Sequence, residues 1–152
     1  MNGTRAIRPI SKRRNEMKRE NKVWGSVCHI FASPNAAVSC LAVEAGFRCS
    51  IHYHKTRANQ FAMHDGRVVI EEWRAGLGES PTLVLLGEGD VHHVPSGVWH
   101  RFRVLESGHM TEVYWPDPEG GECRADDIMR KDEGGPDDLD SLKLDLIEAR
   151  LL

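Results

Sequence analysis

Two histidines, His52 and His54, stand either side of Tyr53, and a third, His100, follows the turn Pro95-Ser96-Gly97. In a β-strand, residues two apart face the same way, so the first pair of imidazoles converges on one point. A third imidazole arriving from another strand completes a facial set of nitrogen donors, the kind that divalent zinc, manganese, iron or nickel takes. The expectation is a metal held by His52, His54 and His100 in the mouth of a small β-barrel. A glycine precedes each group at a matching distance: Gly46 lies six residues before His52, and Gly89 six before Pro95.

Such a site needs strands, and the chain supplies them. Between residues 23 and 115 run short β-branched and aromatic segments at 23–31, 36–43, 49–54, 59–64, 67–73, 82–86, 91–94, 98–105 and 110–115, separated by Gly-, Pro- and Asn-containing turns. That pattern predicts an all-β barrel or sandwich and not a parallel sheet. Asp65-Gly66, between two alternating runs, predicts a tight hairpin. Gly76-Leu77-Gly78 and Gly87-Glu88-Gly89 read as hairpin turns too, because neither is followed by the helix and lysine of a phosphate-binding loop.

The flanks differ in composition. Residues 1–22 read as a basic polar arm carrying Arg8, Lys12, Arg13, Arg14, Lys18 and Arg19, with a helical turn or two from Ser11 onward. Pro116 to Gly121 and Gly134-Gly135-Pro136 are breakers, and they set off residues 133–152 as an acidic linker and a helix. Leu139, Leu142, Leu146 and Ile147 fall at helical spacing, so one apolar stripe needs a partner. The barrel or a second subunit could supply it, and with the sheet edges it argues for a homodimer.

A chain of 152 residues accommodates one domain, here 23–132. A net charge of −3 gives no global case for nucleic acid or an anionic membrane surface, and no apolar run is long enough to cross a bilayer. The four cysteines form no Cys-x-x-Cys pair and no secretory leader is legible, so buried, reduced thiols in a cytoplasmic protein are expected.

With these residues in view the chain resembles the cupin superfamily. The first motif reads Gly46-x5-His52-x-His54 and the second Gly89-x5-Pro95-x-Gly97-x2-His100. Within the superfamily it is most similar to the cupin domain of type II mannose-6-phosphate isomerases and mannose-1-phosphate guanylyltransferases. Trp24-Gly25, the stretch from Val94 to Phe102, and Asp126-Asp127-Ile128-Met129-Arg130 carry that likeness. The resemblance implies a double-stranded β-helix, or jelly-roll barrel, a divalent metal and carbohydrate-related chemistry. Guanylyl transfer is excluded, since only the cupin part is matched.

Aligning on Arg57-Ala58 places Asn59, followed by Gln60, where the family has a carboxylate ligand. The resemblance thus makes Asn59 or Gln60 a fourth, weaker metal contact, and a centre of three imidazoles and an amide keeps its full positive charge. Val104 stands where the longer pattern often has asparagine. Glu112, similar in position to a glutamate of the isomerase-like domains, shares strand parity with Met110 and Tyr114 and is the candidate general base; pairing with Arg101 or Arg103 is its plain alternative. Lys55 and Arg57 are candidate anchors for a phosphate or carboxylate. His92 and His93 read as rim residues, and His29, His64 and His109 as ordinary.

The leading expectation is a metal-binding cupin that acts, like sugar-phosphate isomerases, on a small polar carbohydrate-like ligand. The alternatives are a non-catalytic small-molecule-binding cupin and a metal-dependent oxygenase, which the fold alone does not separate.

Overall fold

A computed structural model describes residues 17–117 and 121–152. In chain order its strands are β1 (Lys18–Lys22), β2 (Gly25–Ser33), β3 (Ala36–Val43), β4 (Phe47–Arg48), β5 (His52–Tyr53), β6 (Arg57–Trp73), β7 (Thr82–Leu86), β8 (Val91–Val94), β9 (Trp99–Pro116), β10 (Met129–Arg130) and β11 (Gly135–Pro136), followed by the helix α1 (Leu139–Glu148). All pairings are antiparallel, and the sheet curls over itself into a jelly-roll barrel. The part of the expected basic arm at 1–16 lies outside the described residues. The rest of it is not helical: Lys18–Lys22 is an edge strand on β2. Its charged residues blunt that edge against further pairing.

The long strands β6 and β9 organise the barrel. They pair along their whole length, from Arg57 opposite Pro116 to Trp73 opposite Trp99. The first half of β6 also pairs with β8 and its second half with β7; the last half of β9 pairs with β3, and its first half with β4 and β5. Each strand therefore passes from one layer to the other midway. Asp65-Gly66 sits at this crossing, so it is a bulge inside a continuous strand and not the expected hairpin. Gly66 has φ +78°, and a side chain there would meet the carbonyls of Ser107 and Glu106 within 3 Å. The sequence signal was genuine, since only glycine accepts such a bend cheaply, but a bulge and a primed turn ask for the same residue. Gly87-Glu88-Gly89 also differs from expectation, because β7 and β8 each pair with β6 and not with one another.

Burial along the inner half-strands runs from apolar at the crossing to polar at the far end. In β9 the order outward is Val104, Phe102, His100 on one side and Met110, Glu112, Tyr114 on the other; in β6 it is Met63, Phe61, Asn59 and Val68, Ile70, Glu72. The apolar members fill the barrel core together with Val27, Leu41, Val43, Leu86 and Val94, and Trp24 packs edge-on against Phe102. Val104 is one of them, buried where the longer motif often has asparagine. Every polar member gathers at one end, which is why the site forms there.

A second, smaller core lies outside the barrel. Leu142 and Leu146 of α1 are fully buried against Val69 and Leu105, with Leu83, Leu85 and Leu139 around them. Arg103, buried under the helix, binds Asp137 at 2.7 and 2.9 Å, Asp145 at 3.2 Å and Glu71 at 3.1 Å. Asp138 caps α1 by accepting from the amides of Asp140 and Ser141. The leucine stripe is thus covered by its own barrel, which removes the helix as a reason for a dimer; Ile147, expected on the stripe, faces solvent. Among the described residues no helix is long and apolar enough to cross a membrane. The cysteines are free thiols, although only Cys49 is fully buried, and burial pushes its thiol up to about 12.

Truncating Leu146→Ala should cost about 2–5 kcal/mol, the usual range for emptying a sealed leucine site. Urea unfolding monitored by tryptophan fluorescence would show it as a lowered midpoint; an unchanged midpoint would mean that α1 is not docked on the barrel.

Candidate metal centre

Main-chain pairing places each histidine. His52 on β5 stands directly opposite His100 on β9, and Arg130 of β10 lies on the other side of His52. His54 follows in the next loop, where its carbonyl accepts from the amide of Gly97 at 2.7 Å, so the two histidine motifs are tied through the backbone. Asp127 ties the loop from outside. Its carboxylate accepts from the amides of Lys55 and Thr56 at 2.8 and 2.9 Å and from the Thr56 hydroxyl at 2.9 Å. This is what the Asp-Asp-Ile-Met-Arg stretch does structurally.

The same loops fix the rings. His52 Nδ1 lies 2.7 Å from the Ser50 carbonyl, His54 Nδ1 2.5 Å from the Asp127 carbonyl, and His100 Nδ1 2.8 Å from the Val98 carbonyl. A carbonyl only accepts, so each Nδ1 carries the hydrogen and each Nε2 is left with a bare lone pair. Arg57 Nε approaches His54 Nδ1 at 3.4 Å, but a protonated nitrogen offers it nothing to bind, and the shorter carbonyl contact decides the tautomer. Ring centroids are 4.5 Å apart for His52 and His100, 5.2 Å for His52 and His54, and 5.6 Å for His54 and His100. One ligating nitrogen from each lies within 4.8 Å of the other two.

Whether these residues suit a metal can be tested on their hydrogen bonds. Among the described residues, the buried side-chain polar atoms with no partner are His54 Nε2, His100 Nε2 and Asn59 Oδ1. An unsatisfied buried acceptor costs about 1–3 kcal/mol, and native structures rarely cluster them without a ligand. Two of these atoms belong to the three-imidazole group that is able to hold a metal ion, and the Asn59 oxygen is buried and unpartnered as they are. Burial is the largest cause that lowers all three histidines: His54 falls to about 3, His100 to about 4, and His52 well below its ordinary value. Ligation requires the neutral ring, and burial keeps these rings neutral.

The neighbours of the histidines are charged. Asn59, 1% exposed, gives its amide nitrogen to Glu112 Oε1 at 2.8 Å. Glu112 faces the interior, on the face it shares with Met110 and Tyr114; burial raises its carboxyl, partly offset by Tyr114 and Asn59. Arg101 and Arg103 pair with Glu71 on the outer face instead, so the plain alternative for Glu112 does not hold. Arg57 is buried with its guanidinium 4.0 Å above the Tyr114 ring, and among the described residues it has no carboxylate within ion-pair distance. Two candidates are not brought to the site. Gln60 follows Asn59 and by alternation points to the opposite face, and the Lys55 side chain is exposed with only its amide engaged, by Asp127.

Sequence reasoning missed one group. Glu72, 1% exposed, stands opposite His100 and binds His92 Nε2 at 2.6 Å and Arg74 at 2.6 Å. Burial pushes its carboxyl up, but the His92 and Arg74 bonds outweigh this and hold it low. His92 is therefore an interior residue and not part of a plain rim. The parity of Glu72 with Val68 and Ile70 was the available signal. A shallow cavity of about 360 Å³ lined by Ser26, Glu44, Asp65 and His109 lies at the crossing end, away from the histidines, and is not this site.

No family model matches the sequence, and no curated protein matches it. Solved structures do. Oxalate decarboxylase from Bacillus subtilis at pH 4.6 is 19% identical with a TM-score of 0.62, covering 76% of this chain and 30% of that one. CapF with the inhibitor 3-isopropenyl-tropolone is 19% identical with a TM-score of 0.60, covering 76% and 34%. A further oxalate decarboxylase structure, described for its Mn(II) centres, is 19% identical with a TM-score of 0.58, covering 72% and 30%. The chain spans about a third of the length of these proteins. The likeness establishes the cupin-type barrel; the narrower similarity to mannose-6-phosphate isomerase rests on the sequence motifs.

The depressed histidines make a pH prediction for the metal-free protein. Between the unfolded value of about 6.5 and the folded values, the unfolded chain binds more protons, so stability is full above that window and is lost as pH falls through it. The slope should approach about 1.4 kcal/mol per pH unit for each ring that stays neutral. Chemical denaturation between pH 7 and 5 should show the loss, whereas a flat profile would mean that the rings are not buried neutral.

Proposed function

We propose that this chain is a metal-binding cupin-type barrel that takes a small, anionic, hydroxyl-rich ligand of the carbohydrate kind beside the three histidines. The observation that carries this reading is Arg57. A buried guanidinium with no carboxylate partner among the described residues, next to a centre of neutral ligands, favours an anion from outside. His52, His54 and His100 would hold the metal, with Asn59 as a fourth contact. When bound, the ion would polarise ligand oxygens and stabilise developing negative charge on them.

The proposed reaction is an aldose–ketose isomerisation of the mannose-6-phosphate isomerase type. It needs a base close to the carbon-bound proton, and Glu112 is the interior carboxylate nearest in role: burial raises it from the ordinary range toward the values that suit proton transfer. Arg57 would orient the anionic end, and the apolar residues on the crossing side, Phe61 and Phe102, would exclude water from below.

A second reading, a non-catalytic binder, is favoured by the engagement of Glu112 with Asn59 and Tyr114. The two separate in one assay. With metal-loaded full-length protein and mannose 6-phosphate, interconversion with fructose 6-phosphate should be detectable, Glu112→Gln should abolish turnover with metal content intact, and Arg57→Leu should weaken ligand binding about tenfold or more. Tight binding that depends on Arg57 without turnover would favour the binder, and binding unaffected by Arg57→Leu would contradict both.

A further inference from the structure

We propose that Glu112 is a positioning residue that makes Asn59 a metal ligand, so that the carboxylate missing at position 59 is supplied one hydrogen bond away by β9. This rests on the three-histidine metal reading and extends it.

A side-chain amide has two ends, and only one of them can serve a cation. If the Asn59 amide were reversed, its carbonyl would face Glu112 Oε1 and its NH2 would stand where the unpartnered oxygen now is, and an NH2 cannot ligate a cation. With the observed orientation, Nδ2 donates to Glu112 at 2.8 Å and Oδ1 is left buried and unpartnered, as His54 Nε2 and His100 Nε2 are; Asn59 stands opposite Tyr114, whose ring centroid lies 5.4 Å from that of His54. Glu112 is the reason for that orientation, since a carboxylate oxygen accepts and does not donate.

Strand geometry makes the pair specific. Asn59 stands opposite Tyr114 and Phe61 opposite Glu112, so Glu112 is the diagonal neighbour of Asn59 on the inner face. Diagonal neighbours lie within reach of a long side chain. Glutamate spans that diagonal to an asparagine; a shorter aspartate at 112 would not. Tyr114, on the same face, lowers the Glu112 carboxyl against the rise that burial causes. Glu112 thus fixes the donor end of the Asn59 amide and leaves its oxygen free. Outer partners of this kind commonly change metal affinity by about 10–100-fold when removed.

A double-mutant cycle tests this on the full-length, metal-free protein, using Co²⁺ and Zn²⁺ as probes. Affinity is read by competition with a chromophoric chelator, and the ligand set by the visible Co²⁺ spectrum. Wild type should bind one ion, and Asn59→Ala and Glu112→Ala should each lose about tenfold or more in affinity and show the same altered Co²⁺ spectrum. Glu112→Ala should then cost nothing further when added to Asn59→Ala, because its only route to the metal is through that amide. Glu112→Gln, which still offers an oxygen to Asn59, should keep the wild-type spectrum; it also serves as the variant of record if the alanine substitution fails to fold. An additive loss in the double variant, an unchanged Glu112→Ala, or a Glu112→Gln spectrum matching that of Asn59→Ala would overturn the proposal. Failure of wild type to bind either ion would overturn the metal centre itself, and with it this inference.

Discussion

Three backbone carbonyls, those of Ser50, Val98 and Asp127, determine what the barrel interior can do. Each takes the Nδ1 hydrogen of one histidine and so turns its Nε2 lone pair inward. Without them the rings would choose their own tautomers and would rotate to find partners. The rest of the structure can be read as the apparatus that holds these carbonyls still: β5 opposite β9, the Gly97 amide bound to the His54 carbonyl, and the Asp127 carboxylate bound to two amides of the intervening loop. Such outer-shell bonds are as much part of a metal site as the ligands themselves.

The charge arrangement follows from the same design. Three imidazoles and an amide are all neutral, so a divalent ion held among them would keep its full charge. Two interior carboxylates belong to the same two long strands: Glu112 lies on β9 with His100, and Glu72 lies on β6 opposite His100. Glu72 is already balanced by His92 and Arg74, whereas Glu112 faces only neutral hydrogen-bond donors, with Arg57 further along the Tyr114 ring. Arg57 lies over the ring of Tyr114, the neighbour of Glu112 on this face, and its charge partly offsets the rise of the Glu112 carboxyl.

Much of this was legible in the sequence because it follows from alternation. The bounds of β3, β7 and β8 match the apolar runs, and His52, Asn59 and Glu112 are buried on their strands, whereas His54 is buried in the loop just past β5, where parity does not apply. What was not legible depended on pairing across distance. Asp65-Gly66 looks the same in sequence whether the chain turns back or passes through a bulge, since both need positive φ. The α1 stripe carried no label for its partner, and Val69 and Leu105, which cover it, lie on the outer faces of strands whose inner faces are also apolar. Glu72 was hidden because a glutamate pair, Glu71 and Glu72, reads as solvated charge, although one faces Arg101 and Arg103 outside and the other faces His92 inside. Gln60 and Lys55 erred the other way: adjacency in sequence placed them near the site, and strand alternation and loop exposure take them from it.

The tautomers of His52, His54 and His100 test the central claim most directly. Long-range ¹H–¹⁵N correlation spectra of the metal-free protein at neutral pH should show all three rings protonated at Nδ1 and bare at Nε2, and one equivalent of Zn²⁺ should shift all three Nε2 resonances together. Protonation at Nε2 in any of the three, or a zinc shift confined to one or two rings, would contradict a centre preformed by the backbone.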